Sequence, residues 1–283
     1  MKKVLVTGAT GFIGNHVINE LLGNGYKVIA TSANPEKAVT MEWYNNVAYI
    51  PLDLKTLSAD IDYYAFFNKP DLLIHLAWEG LPNYKLAFHL EENLPRHYFF
   101  LENLVMHGLC DITVTGTCFE YGMQEGCLNE EMEAFPNNPY GIAKDTLRKK
   151  LEKLQNQTPF IFKWIRLFYM YGKGQNPNSL LSQLDRALLN GEQVFNMSGG
   201  EQGSDFLPVE IVAANIARVA LQEKITGIVN CCSGEPITVK GFVENYVESQ
   251  GKKINLNLGY YPYPDYEPMC FWGDDTKLKK IGL

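Results

Sequence analysis

The chain has 283 residues, 46% of them hydrophobic, and a formal net charge of −7. This length and composition predict a sizeable buried core, in one large α/β domain or in two closely packed domains. The acidic balance and the lack of a basic run argue against nucleic acid as a partner. No apolar run reaches the length of a membrane span, and the first three residues lead directly into a strand, which leaves no room for a signal peptide.

Six cysteines are spread along the chain. They lack both the spacing of a metal site and the density of a disulfide framework. We therefore expect reduced thiols, no bound metal and a cytoplasmic protein.

The N-terminal residues predict a strand, a glycine turn and a helix in immediate succession. The run Val4–Val6 is followed by Gly8-x-x-Gly11-x-x-Gly14 and then by the amphipathic segment Asn15–Leu22. Glycines let the backbone approach a ligand, and a helix N-terminus presents free amides and its positive dipole end to a phosphate. The arrangement predicts a dinucleotide site, although its spacing differs from the G-x-G-x-x-G of dehydrogenases. A plain glycine-rich turn is the alternative.

Strands and helices alternate along the rest of the chain, which predicts an α/β fold with a doubly wound parallel sheet and helices on both faces. The continuously apolar run Leu72–Ile74 is typical of a strand covered on both sides. We expect strands near 3–7, 26–31, 47–50, 71–76, 111–116, 160–167 and 226–231. We expect later helices near 138–154, 179–190, 210–222 and 239–249, and an extended loop over 259–268.

The end of the second predicted strand bears on the choice of cofactor. An acidic residue there binds the adenosine ribose of NAD and repels the 2′-phosphate of NADP. This chain has none; instead Ser32 and Asn34 can hydrogen-bond a phosphate and Lys37 can neutralise it. We therefore expect NADP, with NAD as the alternative if Ser32 and Asn34 only cap the loop. Asp53, after the third strand, is expected either to bind the adenine amine or to begin a turn.

Tyr140 and Lys144 stand at the start of the helix predicted over 138–154. Their i, i+4 spacing puts phenol and ammonium on one helix face. A free phenol, with a pKa of about 10, is a poor acid–base catalyst at neutral pH. The ammonium and the positive ring of an oxidised nicotinamide are expected to favour the phenolate and lower the pKa of Tyr140. Thr117, at the end of the strand near 111–116, is placed to hydrogen-bond the same substrate oxygen. A solvated lysine on an amphipathic face is the alternative.

Together these motifs resemble the extended short-chain dehydrogenases/reductases, in the group of nucleotide-sugar epimerases, dehydratases and reductases. The resemblance covers almost the whole chain. It is carried by the loop Thr7–Gly14, Asp53, His75-Leu76-Ala77, Thr117 four residues before Tyr121-Gly122, Tyr140-x-x-x-Lys144, Arg166–Gly172 and Gly200–Val209.

The resemblance implies a Rossmann domain over 1–168 that holds NAD or NADP and carries the catalytic residues. It also implies a smaller α/β substrate-binding portion over 169–283, interleaved with the first, with a segment near 205–232 returning to the Rossmann domain. The ligand is then a nucleotide-diphosphate sugar, and a homodimer is left open. The implied cofactor contacts are Gly8, Thr10, Gly11, Phe12, Ile13, Gly14, Ser32, Asn34, Lys37, Asp53, Leu54, Leu76, Ala77, Trp78, Asn93, Tyr140 and Lys144.

The residues after Thr117 bear on which reaction of the family to expect. The 4,6-dehydratases have Asp-Glu where this chain has Cys118 and Phe119, so elimination of water is not expected. The epimerase-reductases related to fucose synthase place a catalytic Cys at the position of Phe119, and Cys118 is expected to be a buried thiol. What remains is an NAD(P)H-dependent reduction of a 4-keto group on a nucleotide-activated, 6-deoxy hexose. A nucleotide-sugar 4-epimerase with tightly held NAD is the alternative.

Substrate contacts are expected from the ends of strands and from a later helix. Asn178 and Ser179 open that helix, whose amides can hold a diphosphate, or they simply cap it. The family has an Arg before Asp205-Phe206 that binds the diphosphate, and this chain has Ser204 there. Either another cation replaces that Arg, or nucleotide-sugar binding is weaker or altered. The full expected set is Trp78, Glu79, Thr117, Cys118, Phe119, Tyr140, Asn178, Ser179 and Phe195. A reductase of small hydrophobic carbonyls and a non-catalytic NADP sensor are the competing functions.

Overall fold

The computed structural model describes residues 2–282 and has a seven-stranded sheet at its centre. The strands are β1 (Lys3–Thr7), β2 (Lys27–Thr31), β3 (Ala48–Tyr49), β4 (Leu72–His75), β5 (Asp111–Thr117), β6 (Gly126–Leu128), β7 (Ile161–Leu167), β8 (Tyr169–Tyr171), β9 (Val194–Asn196), β10 (Gly203–Ser204), β11 (Phe206–Pro208), β12 (Gly227–Cys231), β13 (Ile237–Thr238), β14 (Asn255–Asn257) and β15 (Phe271–Gly273). The helices are α1 (Phe12–Gly23), α2 (Pro35–Val39), α3 (Tyr63–Phe66), α4 (Leu94–Met106), α5 (Pro139–Gln157), α6 (Leu180–Leu189), α7 (Val209–Leu221), α8 (Val239–Ser249) and α9 (Thr276–Lys279). A π-helical turn, His89–Asn93, leads into α4, and a 3₁₀ turn, Cys118–Tyr121, follows β5.

The central sheet has the order β12-β7-β5-β4-β1-β2-β3, and each neighbouring pair is parallel. The chain runs outward from β1 to one edge and then returns to β4 on the other side of β1. The strand order therefore reverses between β1 and β4, the point at which doubly wound sheets bind ligands. This architecture confirms the predicted α/β fold with a Rossmann-type parallel sheet.

Two hydrophobic layers cover the sheet, one on each face. On one face α1 and α7 pack through side chains such as Ile18 and Ile216, which are fully buried. On the other face α4 and α5 pack through side chains such as Leu104 and Leu147. Strands covered on both faces must be apolar throughout, which explains the uninterrupted run in β4.

The C-terminal half adds short strand pairs beside the sheet and then returns to it. The pairs β8–β11 and β9–β14 are parallel, and α6 packs against α8 over a separate core. Helix α7 and strand β12 belong to the layers of the main sheet, so the chain crosses between the two parts. Within residues 2–282, no helix is both long enough and apolar enough to cross a lipid bilayer.

Candidate active site

The glycine loop lies at the reversal point of the sheet, between the ends of β1 and β4. Gly8 has a φ of +67°, and a Cβ added there would stand 2.8 Å from the backbone nitrogen of Ala77. A Cβ on Gly14 would stand 2.2 Å from the carbonyl oxygen of Gly8. Only glycine fits at these two positions, because the loop folds tightly back on itself and against the end of β4. The N-terminus of α1 therefore opens directly onto the cleft, as a phosphate site requires.

On one side of this loop is a cavity of about 260 Å³, and most of the predicted adenosine contacts line it. The predicted cofactor residues that line this cavity are Gly8, Thr10, Gly11, Ser32, Asn34, Asp53, Leu54, Leu76, Ala77, Trp78 and Asn93. Glu79, which we expected to contact substrate, lines this cavity instead and pairs with Lys55 at 2.9 Å across its rim. The prediction for Glu79 therefore does not match its position.

Of the three residues expected to hold a 2′-phosphate, Ser32 and Asn34 line the cavity but have partners within the chain, and Lys37 lies outside it. Ser32 is buried, and its hydroxyl lies 3.0 Å from that of Tyr49. The Asn34 side chain caps α2 by accepting a hydrogen bond from the backbone N–H of Lys37 at 2.8 Å. The Lys37 side chain is exposed and does not line the cavity. Asp53 caps a turn by accepting the N–H of Lys55, as the turn alternative expects. It also lines the cavity, and its contact with the adenine amine stays a prediction.

On the other side of the loop, a cavity of about 390 Å³ contains the predicted catalytic tyrosine. Phe12, Ile13 and Gly14 form its floor near the loop, and Thr117, Cys118, Phe119 and Tyr140 form its inner wall. Tyr140 is 7% exposed and Thr117 is 5% exposed. None of the residues lining this cavity, in the part of the chain the structure describes, is Asp, Glu, Lys or Arg.

Tyr140 and Thr117 meet because α5 begins against the end of β5. The side chain of Asn138 caps α5, and Tyr140 follows in its first turn. Thr117 is the last residue of β5 and caps the 3₁₀ turn that follows, where its hydroxyl accepts the Phe119 N–H at 3.3 Å. Burial, the largest cause, raises the pKa of Tyr140, and a hydrogen bond with Thr117 opposes that shift. In the protein without cofactor Tyr140 is therefore a neutral phenol, and the lowered pKa expected beside an oxidised nicotinamide stays a prediction.

Lys144 lies one turn further along α5 and is almost fully buried. Its ammonium donates a hydrogen bond to the carbonyl oxygen of Thr115 at 2.9 Å and lies 4.0 Å from the centre of the Trp78 ring. Burial lowers the pKa of Lys144 to about 7, and the negative charge of Glu120 opposes this shift. Lys144 is therefore close to losing its charge at neutral pH, so small electrostatic changes nearby alter its protonation.

A buried chain of histidines connects the glycine loop with Trp78. The Thr7 hydroxyl accepts the N–H groups of Leu76 and Ala77, so we assign its own proton to Nδ1 of His75 at 2.8 Å. His75 in turn donates from Nε2 to Nδ1 of His97 at 2.8 Å. Burial lowers the pKa of His75 to about 3, so the ring is neutral.

Trp78 lies at the boundary between the two cavities and lines both. Its ring stacks on His97 at 4.6 Å between centroids, and its indole N–H donates to Nδ1 of His89 at 3.1 Å. Its edge also approaches Tyr140 at 6.1 Å. Trp78 is therefore held rigidly where the two halves of a dinucleotide would join.

Besides Glu79, three predicted substrate residues lie outside the catalytic cavity. Phe195 is on β9 and packs in the separate core of α6 and α8, because that portion needs its own apolar interior. Ser179 is the residue before α6, where its hydroxyl donates to that of Ser182 at 2.9 Å. Asn178 is exposed at the same turn. The prediction of substrate contact therefore does not fit Phe195, and for Asn178 and Ser179 the structure favours a turn at the helix start.

Other residues of the site were missed by sequence reasoning. Gln175 and Asn176, just before the predicted pair, line the catalytic cavity. Tyr84 and Tyr169 also line it, and the Tyr84 ring lies 5.6 Å from that of Tyr140. Arg96 lines the adenosine cavity with one guanidinium nitrogen that is buried and has no hydrogen-bond partner. Of these five residues only Tyr169 lies within a motif recognised in the sequence. The other four are in segments whose distance from the motifs along the chain is not fixed, so no spacing pointed to them.

Comparison with solved structures supports the fold. The chain superposes on MoeE5 in complex with UDP-glucose and NAD with a TM-score of 0.83 at 25% identity, covering 99% of this chain and 91% of that one. The UDP-glucuronic acid 4-epimerase from Bacillus cereus, in complex with UDP-glucuronic acid and NAD, gives a TM-score of 0.83 at 22% identity, covering 99% and 92%.

Sequence comparison identifies the family. The chain is 30% identical over 271 residues to a dTDP-6-deoxy-L-talose 4-dehydrogenase (NAD(+)) of Aggregatibacter actinomycetemcomitans, which covers 95% of this chain and 98% of that protein. It is 25% identical to the uncharacterized UDP-glucose epimerase YtcB of Bacillus subtilis, over 99% of this chain and 91% of that protein. A family model described as the NAD dependent epimerase/dehydratase family matches residues 4–232. The chain therefore belongs to the NAD dependent epimerase/dehydratase family.

Proposed function

We propose that this protein reduces the 4-keto group of a nucleotide-activated 6-deoxy hexose with NAD(P)H. The observation that carries the proposal is the uncharged cavity beside the glycine loop, with Tyr140 and Thr117 at its inner wall. A sugar carbonyl bound there lies between the phenol and the N-terminus of α1. The cofactor supplies the hydride, and the residues of the chain hold the carbonyl and give its oxygen a proton.

Tyr140 is the proposed proton donor because of its position in the cavity. A donor must carry its proton at the start of the reaction, and a phenol with a raised pKa does so at neutral pH, in a reductase and in an epimerase alike. Thr117, whose hydroxyl also lines the cavity, orients the oxygen that receives the proton. Lys144 is proposed to bind the nicotinamide ribose and to stabilise the phenolate left after proton transfer.

The same cavity argues against elimination of water. Cys118 and Phe119 occupy the positions at which a dehydratase carries its acid and base, and both are buried in the inner wall. Burial raises the pKa of the Cys118 thiol, so it is not a base at neutral pH. No carboxylate replaces them among the described residues of the lining.

The lining also supports a neutral, deoxygenated sugar. A uronic acid would bring a carboxylate into a cavity where no described lining residue is a cation, at a high desolvation cost. The aromatic rings of Tyr84, Phe119 and Tyr169 and the side chain of Leu81 offer an apolar wall suited to a methyl group at C6. The relative from Aggregatibacter is named as a 4-dehydrogenase of a dTDP-linked 6-deoxy sugar, which supports the same choice.

We propose NADPH as the preferred reductant, with NADH as the alternative. No acid stands at the end of β2 to repel a 2′-phosphate, and Arg96 lines the adenosine cavity with one guanidinium nitrogen that has no hydrogen-bond partner among the described residues. The charge of Lys55 is balanced by Glu79, with which it pairs. Against this, Lys37 lies outside the cavity, and the relative from Aggregatibacter is named for NAD(+). Titration with both cofactors decides between them.

A 4-epimerase with tightly held NAD is the second candidate, because several relatives are named as 4-epimerases of UDP-sugars. The two functions differ in whether cofactor is consumed. The purified protein is therefore mixed with NAD(P)H and a panel of dTDP-, UDP-, GDP- and CDP-linked 4-keto-6-deoxyhexoses. Loss of absorbance at 340 nm with one reduced sugar per cofactor supports the reductase. A parallel reaction supplies the corresponding 4-hydroxy sugars with NAD, and their interconversion at C4 without net change in cofactor would replace the reductase with the epimerase.

A further inference from the structure

We propose that Glu120 is a positioning residue that fixes the turn after Thr117 and places a negative charge near the Lys144 ammonium. The inference rests on the proposed reductase function and extends it to a residue outside the cavity. Glu120 is fully buried in the 3₁₀ turn after β5 and does not line the cavity. A buried carboxylate at this point requires a reason, because burial without partners is costly.

The Glu120 carboxylate is anchored on three sides by hydrogen bonds. One oxygen, Oε1, accepts the backbone N–H of Thr117 at 2.9 Å, and the indole N–H of Trp164 also donates to it at 2.9 Å. The other oxygen, Oε2, accepts Nε–H of Arg166 at 2.8 Å. Trp164 and Arg166 are on the neighbouring strand β7, so Glu120 ties the end of β5 to β7. The orientation of Thr117 therefore depends on Glu120.

Glu120 and Lys144 contact adjoining points on the same strand end. The Lys144 ammonium holds the carbonyl of Thr115, and the Glu120 carboxylate holds the N–H of Thr117. Gly116 between them leaves the necessary room, since a Cβ there would stand 2.4 Å from Oε1 of Glu120. This geometry places one negative charge close to the ammonium inside a low-dielectric interior, where charges act strongly.

The charge of Glu120 acts on the pair formed by Tyr140 and Lys144, and chiefly on Lys144. It raises the pKa of Lys144 against the effect of burial, whereas Tyr140 is protonated at neutral pH with or without this charge. In the direction of reduction a charged Lys144 stabilises the phenolate that Tyr140 becomes, so the carboxylate favours the reactive form of the site.

The other groups that face the pair do not supply this negative charge. Lys144 is faced by His75 on β4, His97 on α4 and His89 on the π-helical turn, and each of these has a lowered pKa that keeps it neutral. Tyr140 is faced by Tyr84, Cys118, Thr117 and the His89 ring. Burial raises the pKa values of Tyr84 and Cys118, so neither is an anion at neutral pH.

The test compares two buried ion pairs at opposite ends of the same two strands. Glu120→Gln removes the charge but keeps the shape, and Glu120→Gln/Arg166→Gln also removes the partner, so that no unpaired buried charge unfolds the protein. The matched control is the pair of Asp111 on β5 with Lys163 on β7, joined at 2.9 Å, changed as Asp111→Asn and Asp111→Asn/Lys163→Gln.

For the Glu120 variants we expect kcat for reduction to fall by about 10-fold or more with KM within about threefold, because a transition-state interaction is lost. The alkaline limb of the kcat profile should move to lower pH by about one unit. The Asp111 variants should keep the wild-type profile even where their thermal stability is lower. Equal pH profiles for wild type and both Glu120 variants would overturn the inference, as would an equal shift in the Asp111 variants.

A substrate-free readout separates this inference from the proposed function. The Lys144 ammonium lies 4.0 Å from the Trp78 ring, so its deprotonation should change indole emission with a pH midpoint that Lys144→Met abolishes. Glu120→Gln should lower that midpoint. The substitution also changes the contact with Trp164 and so the intensity of emission, but the glutamine side chain does not titrate and adds no midpoint of its own. An unchanged midpoint would overturn the role of Glu120. A wild-type protein that shows the transition but reduces no keto-sugar would overturn the reductase alone.

Discussion

Replacement of Tyr140 by Phe tests the proton donor of the proposed reaction. The ring stays in its buried place at the start of α5, and only a hydroxyl is lost, so folding should change by about 1 kcal/mol or less. Cofactor affinity should stay within about threefold. Lys144, the residue proposed to bind the nicotinamide ribose, is unchanged and keeps its position through its hydrogen bond to the carbonyl of Thr115. Loss of a positioned general acid should lower kcat by ~10²–10⁴-fold, which is about 2.7–5.5 kcal/mol of transition-state stabilisation.

The assay follows NAD(P)H oxidation with a nucleotide-linked 4-keto-6-deoxyhexose, under conditions in which a primary deuterium isotope effect shows that chemistry limits the rate. Tyr84→Phe is the matched control, since this second phenol lines the same cavity with its ring 5.6 Å from Tyr140. The control should keep at least a third of wild-type kcat. If Tyr140→Phe retained more than about a tenth of wild-type kcat, or if Tyr84→Phe were the more damaging change, the assignment of Tyr140 as the acid would be refuted.

Four further predictions concern the surrounding groups. Thr117→Val should lower kcat less than Tyr140→Phe does, because Thr117 orients the oxygen without giving up a proton; an equal or larger loss in steady-state kinetics would contradict this. Lys144→Met should lower both kcat and cofactor affinity, measured by NADPH fluorescence titration, and unchanged affinity would remove Lys144 from the ribose site. Ser32→Asp should shift the preference from NADPH toward NADH by about tenfold, or 1.4 kcal/mol, and a wild-type protein that already prefers NADH strongly would overturn the choice of cofactor. Because burial lowers the pKa of His75 to about 3, the unfolded chain binds the extra proton below about pH 6.5. The free energy of unfolding should therefore fall by about 2 kcal/mol from this residue between pH 7 and pH 5, and urea titrations that show equal stability at both would contradict the buried neutral histidine.

Local signals explain why the sheet could be predicted from the sequence. The strand expected over 3–7 is β1 (Lys3–Thr7), and the one expected over 226–231 is β12 (Gly227–Cys231). Short β-branched runs ending in glycine or polar residues identify strands that are buried on both faces, and their order along the chain implies a parallel sheet. The two glycines Gly8 and Gly14 were recognisable because only glycine fits so close a turn.

The parts that could not be predicted depend on the packing of residues far apart in sequence. Phe195 gives the same local signal whether it faces a ligand or a core, and only the pairing of α6 with α8 decides. Burial is the largest effect on the pKa of Tyr140 in the protein without cofactor, and burial is invisible in the sequence. Glu120 and Arg166 are 46 positions apart, and strand pairing alone makes them an ion pair.

The most direct test of the central claim uses NADPH or NADH deuterated at nicotinamide C4, on the face from which hydride is transferred. The wild-type protein is incubated with a dTDP-4-keto-6-deoxyhexose, and the product is analysed by mass spectrometry and NMR. We predict one deuterium at C4 of each sugar reduced and one oxidised cofactor released per sugar. Reduced sugar without deuterium at C4 would contradict the reductase. In a parallel reaction with a dTDP-linked 4-hydroxy hexose and NAD, interconversion of the two C4 epimers without net consumption of cofactor would establish the epimerase in its place.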